Sequence, residues 1–179
     1  MQAIGAAGEL IVQARLLIRG WTAGNVNTGG MMNAPAIDLL AAKGSRTVRI
    51  AVKATGHNNA NVQWSVPTNW TTLFKGDVRP DFVIFVWFTN PNDLDECRIF
   101  IVPADVVDNT LIEGHRQWHK FPRRDGSPRK RSKHTAITWT GNPNPATGVI
   151  NRGMERQWAK YENAWDLLEQ DTSKRRPVR

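Results

Sequence analysis

The chain has 179 residues and a mass of 20.1 kDa, the size of one ordinary domain. Its 40% hydrophobic and 22% charged residues exclude a disordered or fibrous chain. Its single cysteine, Cys97, excludes a disulfide framework and a cysteine-rich zinc site. No apolar run in the sequence is long enough to span a membrane. A formal net charge of +8 and a pI near 10.3 favour a polyanionic partner.

The first predicted element is an amphipathic helix that Gly20 ends. Its apolar residues recur with a period of 3.6, which predicts the face that packs on the core. This predicted stripe consists of Ile4, Ala7, Leu10, Ile11, Ala14, Leu17 and Ile18. Glu9 lies roughly opposite the stripe, with Val12 and Leu16 beside it, so we expect it to contact the sheet edge or to face water. The following residues are rich in Asn, Gly and Thr, with at most a short strand at 21–25.

A β-hairpin is predicted next, from strands over 36–42 and 47–54 with Gly44 first in a two-residue turn. In that register the numbers of opposite residues sum to 89, which places Asp38 opposite Ala51 and Lys53 on the adjacent diagonal. These three side chains should share one face. The other face should carry Ile37, Leu39, Val48, Ile50 and Val52.

An acid and a lysine in otherwise apolar strands have two interpretations. The first is an edge-strand salt bridge, which contributes about 0–1 kcal/mol to stability. The second is a carboxylate that binds a hard cation beside an ammonium that stabilises charge on a phosphate. The pattern alone does not separate the two.

The rest of the chain adds two buried strands and two helices. The apolar runs at 82–88 and 98–102 predict strands, and Pro103 suits the first position of a helix that runs to about Glu113. A last amphipathic helix is predicted from apolar residues at spacings of 4, 3, 4 and 3. These are Met154, Trp158, Tyr161, Trp165 and Leu168. The order of elements predicts an α/β or α+β domain with a mixed central sheet flanked by helices.

The positive charge is concentrated in one segment. Residues 114–134 contain eight Lys or Arg against one Asp, whereas residues 1–113 are nearly neutral. The eight cations are Arg116, Lys120, Arg123, Arg124, Arg129, Lys130, Arg131 and Lys133. We therefore expect a core at 1–113, a basic arm and loop at 114–148, and a C-terminal helix and tail at 149–179, in one compact domain. The arm is expected to bind phosphates; the alternative is a solvated loop that maintains solubility.

Several short motifs in these elements resemble those of the PD-(D/E)XK nuclease superfamily. They are GEL at 8–10, PAID at 35–38, IAVK at 50–53, RPDFVIFV at 79–86 and IFIVPADVV at 99–107. The resemblance is to small members related to Holliday-junction resolvases, homing endonucleases and restriction enzymes, and it covers roughly residues 4–113. It implies a restriction-endonuclease-like core.

The resemblance also implies a site. Asp38 matches the first acid of the motif, a ligand of Mg²⁺ or Mn²⁺, and Lys53 matches the lysine that positions or activates the attacking water. Glu9 matches the glutamate of the first helix that adds a metal contact, and the carbonyl of Val52 would be a further ligand. The chain departs from the motif at Ala51, where the second acid is expected.

Asp81 is the best substitute for that acid, although we prefer to interpret it as a cap at the start of a strand. His115 and His119 are four residues apart but lack the glutamate of a zinc-protease motif. We expect a cytoplasmic, metal-dependent DNA endonuclease that acts on duplex or branched DNA, and a homodimer is left open. The alternatives are a catalytically inactive nucleic-acid-binding protein on the same fold, and a protein-interaction module that uses the basic arm.

Overall fold

The computed structural model describes residues 2–26, 37–56, 62–67, 79–90, 92–120, 122–123, 125–128, 134–139 and 153–170. In chain order the elements are α1 (Gln2–Ile18), β1 (Thr22–Asn25), β2 (Leu39–Lys43), β3 (Arg46–Thr55), β4 (Gln63–Pro67), β5 (Phe82–Phe88), β6 (Cys97–Pro103), α2 (Ala104–Lys120), β7 (His134–Thr138) and α3 (Glu155–Trp158). Short 3₁₀ turns follow at Ala159–Tyr161 and Trp165–Glu169. The predicted α+β class is confirmed. None of the helices in these ranges is long and apolar enough to cross a membrane.

Five strands form a mixed central sheet in the order β1-β2-β3-β5-β6. β3 and β5 are parallel, and the other neighbouring pairs are antiparallel. β4 and β7 pair with each other in a separate two-stranded antiparallel ribbon. The ribbon was not predicted, because it pairs two segments about 70 residues apart and neither carries a strong strand pattern of its own.

The hairpin of β2 and β3 has the predicted register. Leu39 pairs with Ile50 and Lys43 with Arg46, around a turn in which Gly44 has a φ of +60°. Glycine adopts this left-handed conformation without a steric penalty, which favours the two-residue turn. One residue of the predicted apolar face is on the wrong side: Ile37 packs with Ala51 on the opposite face from Leu39. It precedes β2, so strand alternation does not extend to it.

Each face of the sheet is covered by its own apolar core. On one face, Leu39, Ile50 and Ile84 pack against Val12 and Leu16 of α1. On the other face, Val83, Phe85 and Val102 pack against α2 and the ribbon, with Val107, Trp64 and Ile137 as neighbours. α2 begins at Ala104, since Pro103 ends β6, and it continues to Lys120, seven residues beyond the predicted end at Glu113.

The predicted buried face of α1 is right only in part: Ile4, Ala7 and Ile11 pack against the core, but the other four predicted residues are exposed. Leu10, Leu17 and Ile18 are 65%, 52% and 79% exposed, whereas Val12 and Leu16 are fully buried. The helix packs through Gly8, where an added Cβ would lie 2.6 Å from Ala54 Cβ. This close approach of α1 to β3 is available only on the face with the glycine, so the narrower stripe packs on the sheet. Glu9 is next to that contact.

The C-terminal segment is not one helix. α3 and its 3₁₀ turn bury Trp158 and Tyr161 in the core next to α2, while Trp165 and Leu168 are buried in the core under α1. Between them the chain passes around the edge of β6, where Asn163 has a φ of +52° and donates a backbone hydrogen bond of 2.8 Å to Ile99 O. A straight helix cannot place one apolar stripe on both faces of a sheet. We call residues 153–170 the C-terminal strap.

Candidate active site

Asp38 lies just before β2 and is held by three backbone contacts. Its N–H donates to Ile50 O at 2.9 Å, and its carbonyl accepts a hydrogen bond from Val26 N at 3.0 Å. Its carboxylate oxygen Oδ2 accepts a hydrogen bond of 2.6 Å from Val52 N. The second carboxylate oxygen accepts no hydrogen bond from the part of the chain that the structure describes. The hydrogen bond from Val52 therefore fixes the carboxylate beside β3, at the residue that precedes Lys53.

Glu9 of α1 is the second acid at this point. It is half-buried, and its Oε2 accepts a hydrogen bond of 2.5 Å from Asn25 Nδ2 on β1. Burial raises the pKa of Glu9 above its ordinary value, and the negative charge of Asp38 raises it further. The hydrogen bond from Asn25 and the positive charge of Lys53 act in the opposite direction. Three of the predicted site residues thus lie close enough to influence one another electrostatically.

Lys53 completes this group from β3. It is half-buried and pairs in register with Phe85 of the parallel strand β5. The carbonyl of Val52, the remaining predicted ligand, belongs to the residue whose N–H binds Asp38. The candidate site therefore involves three parts of the chain: Glu9 on α1, Asp38 just before β2, and Lys53 on β3.

The predicted placement of Ala51 is wrong. We expected it on the same face as Asp38 and Lys53, opposite the apolar face, but it is 1% exposed and packs in the core with Val62, Trp64 and Val83. The hairpin register is as predicted; the difference arises because β4 and β7 cover this face. A carboxylate at position 51 would enter apolar surroundings.

Asp81 does not replace the missing acid. Its carboxylate accepts hydrogen bonds from the Arg49 guanidinium at 3.0 and 3.2 Å and from Arg49 N at 2.8 Å. It also precedes Phe85, the register partner of Lys53, by four residues, about 13 Å along a strand. Asp81 therefore joins the start of β5 to Arg49 within β3, in keeping with its interpretation as a strand-start cap.

The donor set at this point consists of hard oxygens. Two carboxylates and a backbone carbonyl, completed by water and phosphate oxygens, fit Mg²⁺ or Mn²⁺ better than a softer metal. Within the described ranges, no group of three or more His, Cys, Asp or Glu side chains is placed to hold a metal ion. The like charges of Glu9 and Asp38 nevertheless repel each other, and a bound cation would relieve that repulsion.

The basic arm is described only in part. Arg116, Lys120 and Arg123 are exposed, and Arg116 forms an ion pair of 3.0 Å with Glu113. The other five predicted contacts, Arg124, Arg129, Lys130, Arg131 and Lys133, lie outside the described residues. His115 and His119 are on α2, but their side chains also lie outside that description. Burial raises the pKa of the Cys97 thiol, which makes it a poor nucleophile.

Asn25 was not predicted from the sequence. It lies on β1, where its register partner is Leu39, and its side chain connects that strand to the Glu9 carboxylate. Gln13 supports the same arrangement by donating a hydrogen bond of 2.9 Å to Ala23 O. The only signal in the sequence was an Asn-rich stretch, which equally suits a loop.

Comparisons with known proteins bear on the fold. No family model and no curated protein matches the chain. Among solved structures it is similar to a bacterial homing endonuclease, I-Ssp6803I, at a TM-score of 0.50 and 15% identity over 98% of this chain and 96% of that one. The chain has a restriction-endonuclease-like fold. The Holliday junction resolvase Hjc of Archaeoglobus fulgidus is also similar, at a TM-score of 0.37 and 18% identity over 54% of this chain and 72% of that one. The predicted fold is confirmed at this level.

Proposed function

We propose that this protein is a metal-dependent DNA endonuclease that hydrolyses phosphodiester bonds. The observation that carries the proposal is that Asp38 is held by the residue before Lys53, and that the charges of Asp38 and Lys53 both act on the pKa of Glu9, in a restriction-endonuclease-like fold. A solved structure to which the chain is similar along almost its whole length is named as a bacterial homing endonuclease. Duplex or branched DNA is the substrate class we propose.

Each residue has a separate task in this proposal. Asp38, Glu9 and the Val52 carbonyl hold Mg²⁺ or Mn²⁺, which when bound lowers the pKa of water and neutralises charge on the phosphate. Lys53 places its ammonium beside the scissile phosphate, where it orients the attacking water and stabilises the charge that develops on the phosphate oxygens. The hydrogen bonds to Asp38 and Glu9 fix both carboxylates before the substrate arrives.

The basic arm supplies affinity rather than chemistry in this proposal. Its cations neutralise backbone phosphates and release condensed counterions, which favours binding without regard to sequence. Arg116, Lys120 and Arg123 are the exposed cations of the arm within the described ranges.

A second candidate is a nucleic-acid-binding protein that does not cleave. The buried Ala51 favours it, because the position of the second acid belongs to the apolar core. Incubation of supercoiled plasmid with the protein separates the two functions. The endonuclease produces nicked or linear DNA with Mg²⁺ or Mn²⁺ and none with EDTA. Plasmid that is retarded on the gel but never cut with either metal would contradict the endonuclease and support the binding protein.

A further inference from the structure

The β4–β7 ribbon presents a polar face away from the core. Gln63 pairs with Thr138, so these two side chains and Ser65 share one side, which we call the outer face of the ribbon. Gln63 and Ser65 are exposed and Thr138 is half-exposed, whereas Trp64 and Ile137 on the other side are buried. The ribbon is therefore held by its apolar side, and its outer face is available to a partner.

The ribbon is anchored next to the candidate active site. Trp64 Nε1 donates a hydrogen bond of 3.1 Å to Val86 O, and the Trp64 ring meets Phe85 edge-on with centroids 5.3 Å apart. Phe85 is the register partner of Lys53, and neighbouring strands lie about 4.8 Å apart. β4 also contacts β3, so the ribbon lies beside the strand that carries Lys53.

The charge around the ribbon suits a polyanion. The ten residues of β4 and β7 include no Asp or Glu, and four cations lie at 129–133, immediately before β7. α2, which carries the exposed Arg116 and Lys120, contacts β7. Carboxylates that would repel phosphates are therefore absent from both strands of the ribbon.

The outer face carries side chains that can read bases. A two-stranded ribbon fits the major groove of duplex DNA, which is about 12 Å wide. Glutamine can form a bidentate pair with the N6 and N7 atoms of adenine, and Ser or Thr hydroxyls bind donors or acceptors on base edges. We propose that Gln63, Ser65 and Thr138 contact base edges in the major groove, near the phosphate next to Asp38 and Lys53. The distance to the cut rests on the proposed function, but the base contacts require only binding.

Selection of bound sequences tests this proposal without cleavage. The full chain is incubated in EDTA with duplex oligonucleotides that carry a randomised central segment, and the bound fraction is sequenced. Wild-type protein should enrich a short motif. Gln63→Ala should reduce discrimination at one or two base pairs by about 5- to 150-fold, the range that a good bidentate contact provides. Ser65→Ala should change a neighbouring position, and the exposed control Gln170→Ala should enrich the wild-type motif.

The proposal is overturned if wild-type protein binds no DNA or enriches no motif, or if Gln63→Ala and Ser65→Ala enrich the wild-type motif. A uniform loss of affinity with an unchanged motif also overturns it, because that result indicates phosphate contacts alone. A motif that changes in Gln63→Ala, in a protein that never cuts plasmid, supports the ribbon and contradicts the endonuclease. Failure of the proposed base contacts and failure of the proposed endonuclease activity therefore give different results.

Discussion

The carboxylate of Asp38 accepts a hydrogen bond of 2.6 Å from the backbone N–H of Val52. This contact joins the start of β2 to β3 one residue before Lys53, so the acid and the ammonium are fixed by the same pair of strands. Charge-assisted hydrogen bonds of this length are among the stronger ones in proteins. The position of the acid therefore depends on the hairpin register and not on a mobile side chain.

Gly8→Ala should displace α1 from the sheet. The added Cβ would lie 2.6 Å from Ala54 Cβ, so the helix must shift, and overpacking of this kind costs about 1–3 kcal/mol. Since Glu9 is the next residue, metal-dependent cleavage should fall as well. Thermal denaturation and a cleavage assay measure the two effects. Gly5→Ala is the matched control, because nothing lies within 4 Å of its added Cβ and alanine is the better helix former, by about 0.5–1 kcal/mol. Equal melting temperatures for the two variants would contradict the close contact.

Glu9→Gln should stabilise the metal-free protein at neutral pH. Burial and Asp38 raise the pKa of Glu9 in the folded state above its value in the unfolded state. The folded state therefore binds more protons between the two values, and the penalty for ionised Glu9 appears as pH rises through this window. The variant lacks that penalty, so its advantage should shrink as the pH falls below the unfolded-state pKa. Melting curves of both proteins over a pH range of about 4 to 8, which brackets a raised glutamate pKa, measure how this advantage changes with pH.

Divalent metal gives the same substitution a second readout. Mn²⁺ should raise the melting temperature of wild-type protein more than that of Glu9→Gln, since ligand binding to the folded state stabilises it. Glu155→Gln, an exposed change on α3, should respond to metal as wild-type does. An equal Mn²⁺ response in Glu9→Gln and wild-type would remove Glu9 from the metal site.

How much of the site could be predicted depended on how far apart the interacting residues lie in the sequence. The hairpin register followed from a local turn at Gly44, so the pairing of Leu39 with Ile50 was predictable. The face covered by β4 and β7 was not, because their pairing is remote in sequence. The burial of Ala51 depends on that pairing, because Trp64 of β4 and Ile137 of β7 belong to the same core.

Two apolar patterns were also ambiguous without tertiary structure. The predicted stripe of α1 is broad, and the contact at Gly8 determines which part of it packs on the sheet, which no periodicity reveals. The C-terminal strap has helical spacing, but the left-handed Asn163 divides it where it passes the edge of β6. Spacing predicts which residues are buried there, but not on which face of the sheet.

Ala51→Glu should destabilise the protein rather than complete a metal site. An unpaired carboxylate in an apolar core costs several kcal/mol or is held protonated. We expect a fall in melting temperature of about 10 °C, on the scale where 1 kcal/mol corresponds to roughly 2–4 °C, and no gain in cleavage. Ala14→Glu, at an exposed position of α1, should melt close to wild-type. Increased cleavage by Ala51→Glu at an unchanged melting temperature would contradict the observed packing.

Replacement of Arg129, Lys130, Arg131 and Lys133 by alanine should weaken binding to all duplexes alike. The slope of log affinity against log salt concentration is about −0.9 for each neutralised phosphate, so this slope should flatten by up to about 4 when four cations are removed. Fluorescence anisotropy over a salt series measures it, with exposed Arg156→Ala and Lys160→Ala on the strap as the control. An unchanged slope would exclude the arm from the DNA interface and favour an acidic protein partner.

Cleavage of supercoiled plasmid by Asp38→Asn is the most direct test of the central claim that Glu9, Asp38 and Lys53 form a metal-dependent nuclease site. The amide keeps the size of the side chain and an oxygen for Val52 N–H, but it removes the charge that binds metal. We predict that wild-type protein and the exposed control Asp166→Asn cut with Mg²⁺ or Mn²⁺. Asp38→Asn should bind the plasmid with similar affinity and leave it uncut. Cleavage by Asp38→Asn at the wild-type rate would contradict the site.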